Sequence, residues 1–308
     1  MPRPLPLAWF LSVASRPPRG ALARLSTAAL FLAFIAPAVA AEQASSDRGA
    51  YLFAAGGCAS CHSDPRHDGP PLAGGRALKT PFGVFYGPNI SPDPENGIGK
   101  WSEADFRRAM RQGKDDEGDF LYPVFPFPSF TGMTNQDIAD LYAYLMAQKP
   151  QTRPSKPHEV RFPFGFRPLL VVWRALFFRE GPLVPVAGQS EQWNRGRYLA
   201  EAVAHCEECH TPRNVLGGLD YSYAYAGNPD GPDGQKAPNI TSDMETGIGK
   251  WSLDDIETVL DSGETPDHDS VSGGMSDVVD GTAMLTKADR LAIAVYIKSL
   301  PPLRATGK

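Results

Sequence analysis

One five-residue pattern occurs twice and dictates most of what this chain can become. Cys58-Ala59-Ser60-Cys61-His62 and Cys206-Glu207-Glu208-Cys209-His210 are both C-x-x-C-H, and together they use all four cysteines of the 308-residue chain. This spacing sets an imidazole beside a pair of thiols. It is the signature of covalent c-type haem attachment, in which the thiols add across vinyl groups and the histidine turns onto the iron. A single zinc site would gather the four cysteines but leave both histidines without a role. Redox dithiols would explain the cysteines but not two histidines at one offset. Two covalently bound haem c groups account for both, with Cys58, Cys61, Cys206 and Cys209 as attachment points and His62 and His210 as proximal iron ligands.

The motifs sit inside a larger repeat. Pro88-Asn89-Ile90-Ser91 returns as Pro238-Asn239-Ile240-Thr241, and Gly97 to Ser102 (GIGKWS) returns as Gly247 to Ser252, both at an offset of 150. Arg48 to Leu52 returns as Arg195 to Leu199 at an offset of 147, and the cysteines recur at 148. A duplicated domain with one haem per copy follows. The expected boundaries are 41–150 for the first domain, 151–190 for a connector and 191–308 for the second.

Residues 1–40 read as an export signal: Arg3, Arg16, Arg19 and Arg24 are the only charges, an apolar run follows, and Ala38-Val39-Ala40 suits cleavage. An uncleaved anchor is the alternative, since Ala21 to Ala41 is just long enough to span a bilayer. Export to the periplasm fits a haem that is attached outside the cytoplasm. Removing those four arginines takes the formal charge from −5 to −9. An acidic exported chain is a poor match for nucleic acid.

Each copy reads as mainly helical. A first helix begins near Asp47 or Asn194 and runs into the C-x-x-C-H, and Gly/Pro-rich loops follow over 63–100 and 211–250. Ser102 with Asp105, and Ser252 with Asp255, mark helix starts. Thr134 with Asp137, and Thr286 with Asp289, open closing helices whose apolar stripes are Ile138, Leu141, Tyr142 and Leu145, and Leu291, Ala294, Val295 and Ile297. The order matches a class I cytochrome c domain, so the predicted fold is mainly α: two tandem class I cytochrome c domains joined by an aromatic-rich connector. First and last helices should cross, with Tyr51 or Tyr198 near the crossing. The connector, rich in Phe and Arg over 161–179, is open to three readings: packing between domains, docking of a larger subunit, or a membrane-surface helix.

Each proximal histidine needs a carbonyl for its second nitrogen; Pro70 or Pro71, and Pro212, are the candidates. Methionine is the expected sixth ligand. Met275, in Ser272-Gly273-Gly274-Met275-Ser276, is the choice for the second iron, with Met284 as runner-up and Met244 poorly placed. In the first copy the matching position is Phe125, which cannot ligate. Met133 is then the best donor, against His67 or an open iron; Met110 and Met146 fall on helices. Trp101 and Trp251 are expected beside the haems, and Glu207 and Glu208 as exposed charge.

The paired C-x-x-C-H motifs, the P-N-I-[ST] and G-I-G-K-W-S blocks and the Y-P-x-x-P-F-P-S loop together resemble the multihaem cytochrome c subunits of bacterial membrane-bound dehydrogenases. The resemblance implies electrons arriving from a dehydrogenase catalytic subunit and leaving toward quinone, an oxidase or another cytochrome. Two departures stand out. Better-known alcohol dehydrogenase subunits carry three haems, and they have methionine where this chain has Phe125. The residues therefore predict a periplasmic dihaem electron carrier, with no catalytic residues, and membrane association through a partner, the connector or an uncleaved N-terminus. The alternative is a dihaem redox enzyme of thiosulfate or peroxide type with an open or labile first haem.

Overall fold

The computed structural model describes residues 44–305, so the export-signal reading of residues 1–40 lies outside the described residues. Its helices begin where side-chain caps dictate. Ser45 accepts from the Arg48 amide to open α1 (Ser46–Ala55). Ser102 and Asp105 form a reciprocal capping box for α3 (Glu103–Gln112), and Ser252 and Asp255 do the same for α9 (Leu253–Ser262). Thr134 caps α5 (Asn135–Met146) and Thr286 caps α11 (Lys287–Lys298). Between these lie the motif helices α2 (Cys58–His62) and α8 (Glu207–His210), the loop helices α4 (Phe127–Phe130) and α10 (Gly274–Thr282), the connector helix α6 (Leu169–Phe177), and α7 (Glu191–Arg197).

The helix order of the first half recurs in the second, with one instructive difference. The second half holds one residue more between its tyrosine and its first cysteine, the step from offset 147 to 148. That residue is absorbed by widening the helix: α7 continues into a π-helical turn over Tyr198–Val203, where α1 runs on as regular α-helix.

The long loop of the first half is less irregular than expected. It carries a hairpin of β1 (Ala77–Thr80) and β2 (Gly83–Tyr86), Ala77 opposite Tyr86, to which the connector adds β3 (Glu159–Val160). The second half has no connector strand to extend its loop, and among the described residues it forms only isolated bridges there, Arg213 with Leu219 and Asn228 with Ala237.

First and last helices cross as expected, but glycine makes the crossing. A Cβ on Gly49 would lie 2.0 Å from the Asp140 carbonyl oxygen, and one on Gly196 would lie 1.8 Å from that of Ala292. Tyr51 and Tyr198 are left free to reach into the opposite half. Tyr51 donates to Asp289 (2.6 Å) and accepts from the Thr286 amide (3.1 Å), while Arg195 grips the same carboxylate (2.7 and 2.8 Å). Tyr198 donates to Asp137 and accepts from the Thr134 amide (3.1 Å), and Arg48 grips that carboxylate (3.1 and 3.3 Å). Each closing helix is thus capped in part by a tyrosine from the other half. The loop helices obey the same exchange, α10 lying on α1 and α4 on the π turn.

The predicted stripe of α5 is confirmed by burial of Ile138, Leu141 and Leu145. That of α11 is shifted, since Leu291 and Val295 are half-buried while Ala292, Ile293, Tyr296 and Ile297 are buried. This helix packs against both α7 and α9, so its apolar face is wider than one stripe.

Each Tyr-to-carboxylate bond is charge-assisted and partly buried, so Tyr51→Phe or Tyr198→Phe should cost about 1–3 kcal/mol, measured by denaturant unfolding. Burial raises the Asp289 pKa, but Arg195 and Tyr51 outweigh it and hold the carboxyl below its usual range. Its contribution is complete above about pH 4 and is lost as the pH falls toward the folded-state value. Asp289→Asn should flatten that acid limb of the stability profile.

Candidate haem sites

Each C-x-x-C-H turn is held by the repeat block that follows it. His62 Nδ1 donates to the Pro88 carbonyl (2.9 Å), and His210 Nδ1 donates to the Pro238 carbonyl (2.8 Å). The candidates Pro70, Pro71 and Pro212 are not the acceptors: the loop doubles back and delivers the prolines of the P-N-I-[ST] block instead. A carbonyl can only accept, so the proton is fixed on Nδ1 and the Nε2 lone pair is left for a metal. Burial lowers the pKa of both imidazoles against the pull of the proline bond, and keeps them neutral.

The asparagine after each proline anchors that carbonyl. Asn89 Nδ2 donates to the carbonyls of Gln151 (2.7 Å) and Arg153 (2.9 Å), just beyond α5. Asn239 Nδ2 donates to the Leu303 carbonyl (2.7 Å), beyond α11. The GIGKWS blocks are also tied to the closing helices, by different side chains: Tyr142 donates to the Trp101 carbonyl (2.7 Å), and Lys298 donates to the carbonyls of Trp251 and Gly249. Trp101 and Trp251 pack against the core on this frame.

The four thiols are free and half-buried. Burial, then repulsion from its motif partner, pushes Cys58 to about 12 and Cys206 to about 12; burial and Glu208 push Cys209 to about 11. Thiols held neutral at physiological pH are unlike a reactive dithiol, whose thiolate is stabilised. Among the described residues no three His, Cys, Asp or Glu side chains converge on a metal position, which counts against a shared zinc site. The donor set of each turn is therefore two neutral thiols and one oriented, neutral imidazole, and it fits haem c. A further fit is the Tyr225 hydroxyl, a buried polar group that finds no hydrogen-bond partner of good geometry among the described residues.

The structure places the candidate sixth ligands unevenly. Met133 follows α4, directly before the Thr134 cap, and is 1% exposed. Met275 is half-buried and packs against the core, but as the second residue of α10 rather than in an open loop. Met284 is 69% exposed and Met244 is also exposed. Met110 and Met146 are on α3 and α5, as expected. His67 turns outward to pair with Asp64 (2.9 Å). Phe125 packs against Phe130 with tilted rings, centroids 5.5 Å apart.

Glu208 is a correction. Rather than exposed, it is buried, bonded to Ser129 of the first half (3.3 Å) and ion-paired with Arg213. Its neighbour Glu207 is half-buried, and burial, then Glu208 and Glu201, push it up to about 8. The cause is the packing of the second motif against the α4 loop of the first half.

Sequence reasoning passed over His205. It precedes Cys206 as Gly57 precedes Cys58, and both have left-handed backbones, φ +43° and +59°. Its imidazole bonds the Gly56 carbonyl (3.2 Å) and packs edge-on to Phe130. The two motif turns are thus joined back to back through one side chain. A cleft of about 660 Å³ lies elsewhere, over the Arg48–Asp137–Tyr198 group, where the charges already satisfy one another.

Fold and site together define a c-type cytochrome, and the cytochrome c family matches residues 46–149. The chain is 45% identical over 265 residues to a diheme cytochrome c-type protein of Cereibacter sphaeroides, covering 83% of this chain and 86% of that one. It is 39% identical over 271 residues to the fructose dehydrogenase cytochrome subunit of Gluconobacter japonicus (87% and 55%). It is 40% identical over 272 residues to the cytochrome c subunit of the quinone alcohol dehydrogenase of Gluconacetobacter polyoxogenes (85% and 57%). The chain thus spans most of the first relative and a little over half of the other two. It belongs to the family of c-type cytochromes that includes the cytochrome subunits of dehydrogenases, and its cofactors are two covalently bound haem c groups.

Gly57→Ala should cost about 1–2 kcal/mol, since the left-handed turn then gains strain and no bond. His205→Gly should also destabilise in urea unfolding, by about 1 kcal/mol or more, because the Gly56 carbonyl loses its partner and Phe130 a packed ring, and relief of the left-handed strain offsets only part of this.

Proposed function

We propose that this chain is a periplasmic dihaem electron-transfer protein with one haem domain in each half. It receives electrons from a dehydrogenase catalytic subunit and passes them to quinone, an oxidase or another cytochrome. The observation that carries the reading is the paired geometry: in each half a C-x-x-C-H imidazole is oriented by a proline carbonyl, and a methionine packs into the core ahead of the closing helix.

Cys58 and Cys61 hold the first haem and Cys206 and Cys209 the second, through thioether bonds. His62 and Met133 ligate the first iron, His210 and Met275 the second. The burial of Met133 and the outward Asp64 pairing of His67 support this choice for the first iron. Bound haem supplies one-electron chemistry. The protein's part would be to fix Nε2 through Nδ1, to keep water from the methionine sulfur and to set the local charge. The dehydrogenase names of several relatives support the donor assignment.

His62→Ala and His210→Ala should each strip the proximal ligand from one haem only, read as loss of half the low-spin absorbance. Met133→Ala and Met275→Ala should each lower one midpoint potential and let one ferrous haem bind carbon monoxide. If the unaltered ferrous protein binds carbon monoxide at one haem, the first iron is open and the redox-enzyme reading replaces this one. Mild purification from the native host, following haem absorbance, tests the partner: a stoichiometric dehydrogenase chain is the expected companion.

A further inference from the structure

The helix that carries Met275 begins without a cap of its own. α10 opens on Gly273, which has no side chain to offer the first amides. The Gly274 amide donates instead to Gln235 Oε1 (2.8 Å), from the loop after the second motif. The far end of α10 is built differently. Thr282 donates to the Leu260 carbonyl (2.6 Å), and Arg290 donates to the carbonyls of Leu285 (2.5 Å) and Ala283 (3.3 Å). The helix is thus fixed to its own half where it ends, whereas Met275 lies in its first turn.

The first half supplies a hold on that turn. Arg76, next to strand β1, donates to Asp277 (2.9 Å), two residues beyond Met275. Its second terminal nitrogen lies 3.8 Å from Asp233. Asp233 also accepts from the Lys79 amide of β1 (2.9 Å), and it stands two residues before Gln235. The hairpin of the first half, the loop around Asp233 and the first turn of α10 therefore meet at one guanidinium. The side chain of Arg76 is 17% exposed and those of Asp233 and Asp277 are 28% exposed, so the group is screened less than a surface ion pair. Further along, α10 is pressed onto α1: a Cβ on Gly281 would lie 2.2 Å from the Ala54 carbonyl oxygen.

Comparison of the halves shows what Arg76 replaces. In the first half Arg111 of α3 donates to the carbonyl of Met133 itself (2.6 Å) and to that of Thr131. At the repeat offset of 150 the second half has Asp261, and a carboxylate cannot donate to a carbonyl. Arg290 takes over that task, but the residue it grips before the closing-helix cap is Leu285. Met275 lies ten residues earlier, at the other end of α10. The guanidinium that reaches the first turn of α10 is Arg76, from the opposite half.

We propose that Arg76 is a positioning residue for Met275, so that the first half holds the sixth ligand of the second iron in place. It acts through Asp277: the ion pair fixes the first turn of α10 and with it the direction of the methionine side chain. Without the pair, α10 stays attached at its far end and its first turn frays away from the iron. The inference rests on Met275 as the ligand of the second iron, and the experiment separates the two.

The test uses the haem-loaded full chain, with carbon monoxide as the probe of an open ferrous iron. Arg76→Gln and Asp277→Asn should each speed carbon monoxide binding at one haem by about tenfold and lower one midpoint potential. Arg76→Lys, which keeps the charge, should stay close to the unaltered protein. In Met275→Ala, which opens the same haem outright, Arg76→Gln should add nothing; in Met133→Ala it should open a second haem. A lower unfolding midpoint with unchanged carbon monoxide binding would make Arg76 a structural residue only, and overturns the proposal. So does an added effect of Arg76→Gln in Met275→Ala, since it then acts at the first haem. If Met275→Ala opens no haem, the ligand assignment falls and this proposal with it. If Met275→Ala opens one haem while Arg76→Gln and Asp277→Asn open none, the assignment stands and this proposal alone is overturned.

Discussion

The rest of each site depends on one hydrogen bond, from histidine Nδ1 to a proline carbonyl 26 or 28 residues further on. It decides the tautomer, and so which nitrogen is free. It also decides the loop, because the carbonyl must be carried back to the motif and held there. The asparagine next to the proline does the holding, by reaching the chain that emerges from the closing helix. The orientation of an imidazole near the start of each half thus rests on backbone from its end. The repeated P-N-I-[ST] block marks the two functions of that loop, one carbonyl to orient the ring and one amide to fix the carbonyl.

Around this, the halves are built into each other. Tyr51 serves the closing helix of the second half and Tyr198 that of the first, through the same atoms and with equivalent arginines. His205 adds a bond at the motif turns that the first half cannot return, since its counterpart is Gly57. Where the halves differ, the difference has a local cause. The extra residue before Cys206 becomes a π turn, and the connector strand that extends the first hairpin is missing from the second half.

Helix starts were legible in the sequence because capping is a short-range matter: Ser102, Ser252, Thr134 and Thr286 need only the residue three positions on. The haem-bearing residues were legible because their spacing is itself the chemistry. The histidine's acceptor was not, since nearby prolines looked as suitable as distant ones. Yet the sequence does hold a signal: Pro88 and Pro238 recur at the repeat offset, whereas Pro70 and Pro71 have no proline there. The roles of Tyr51 and Tyr198, the burial of Glu208 and the contact of His205 arise between the halves, and no window along one copy contains both partners. The strand β3 escaped notice because two residues give no period to read.

The exchanged tyrosines are the mark of an isologous contact, in which residue i of one partner meets residue j of the other and j meets i in return. That relation normally joins two identical chains about a two-fold axis. Here it joins two stretches of one chain. The protein has the internal architecture of a homodimer whose subunits have been tied end to end and have since diverged. On that view the stretch between the two halves began as a tether, free to vary once the interface no longer relied on concentration to form. A tether relieved of that duty is where a duplicated protein can acquire a surface that neither of its halves possessed.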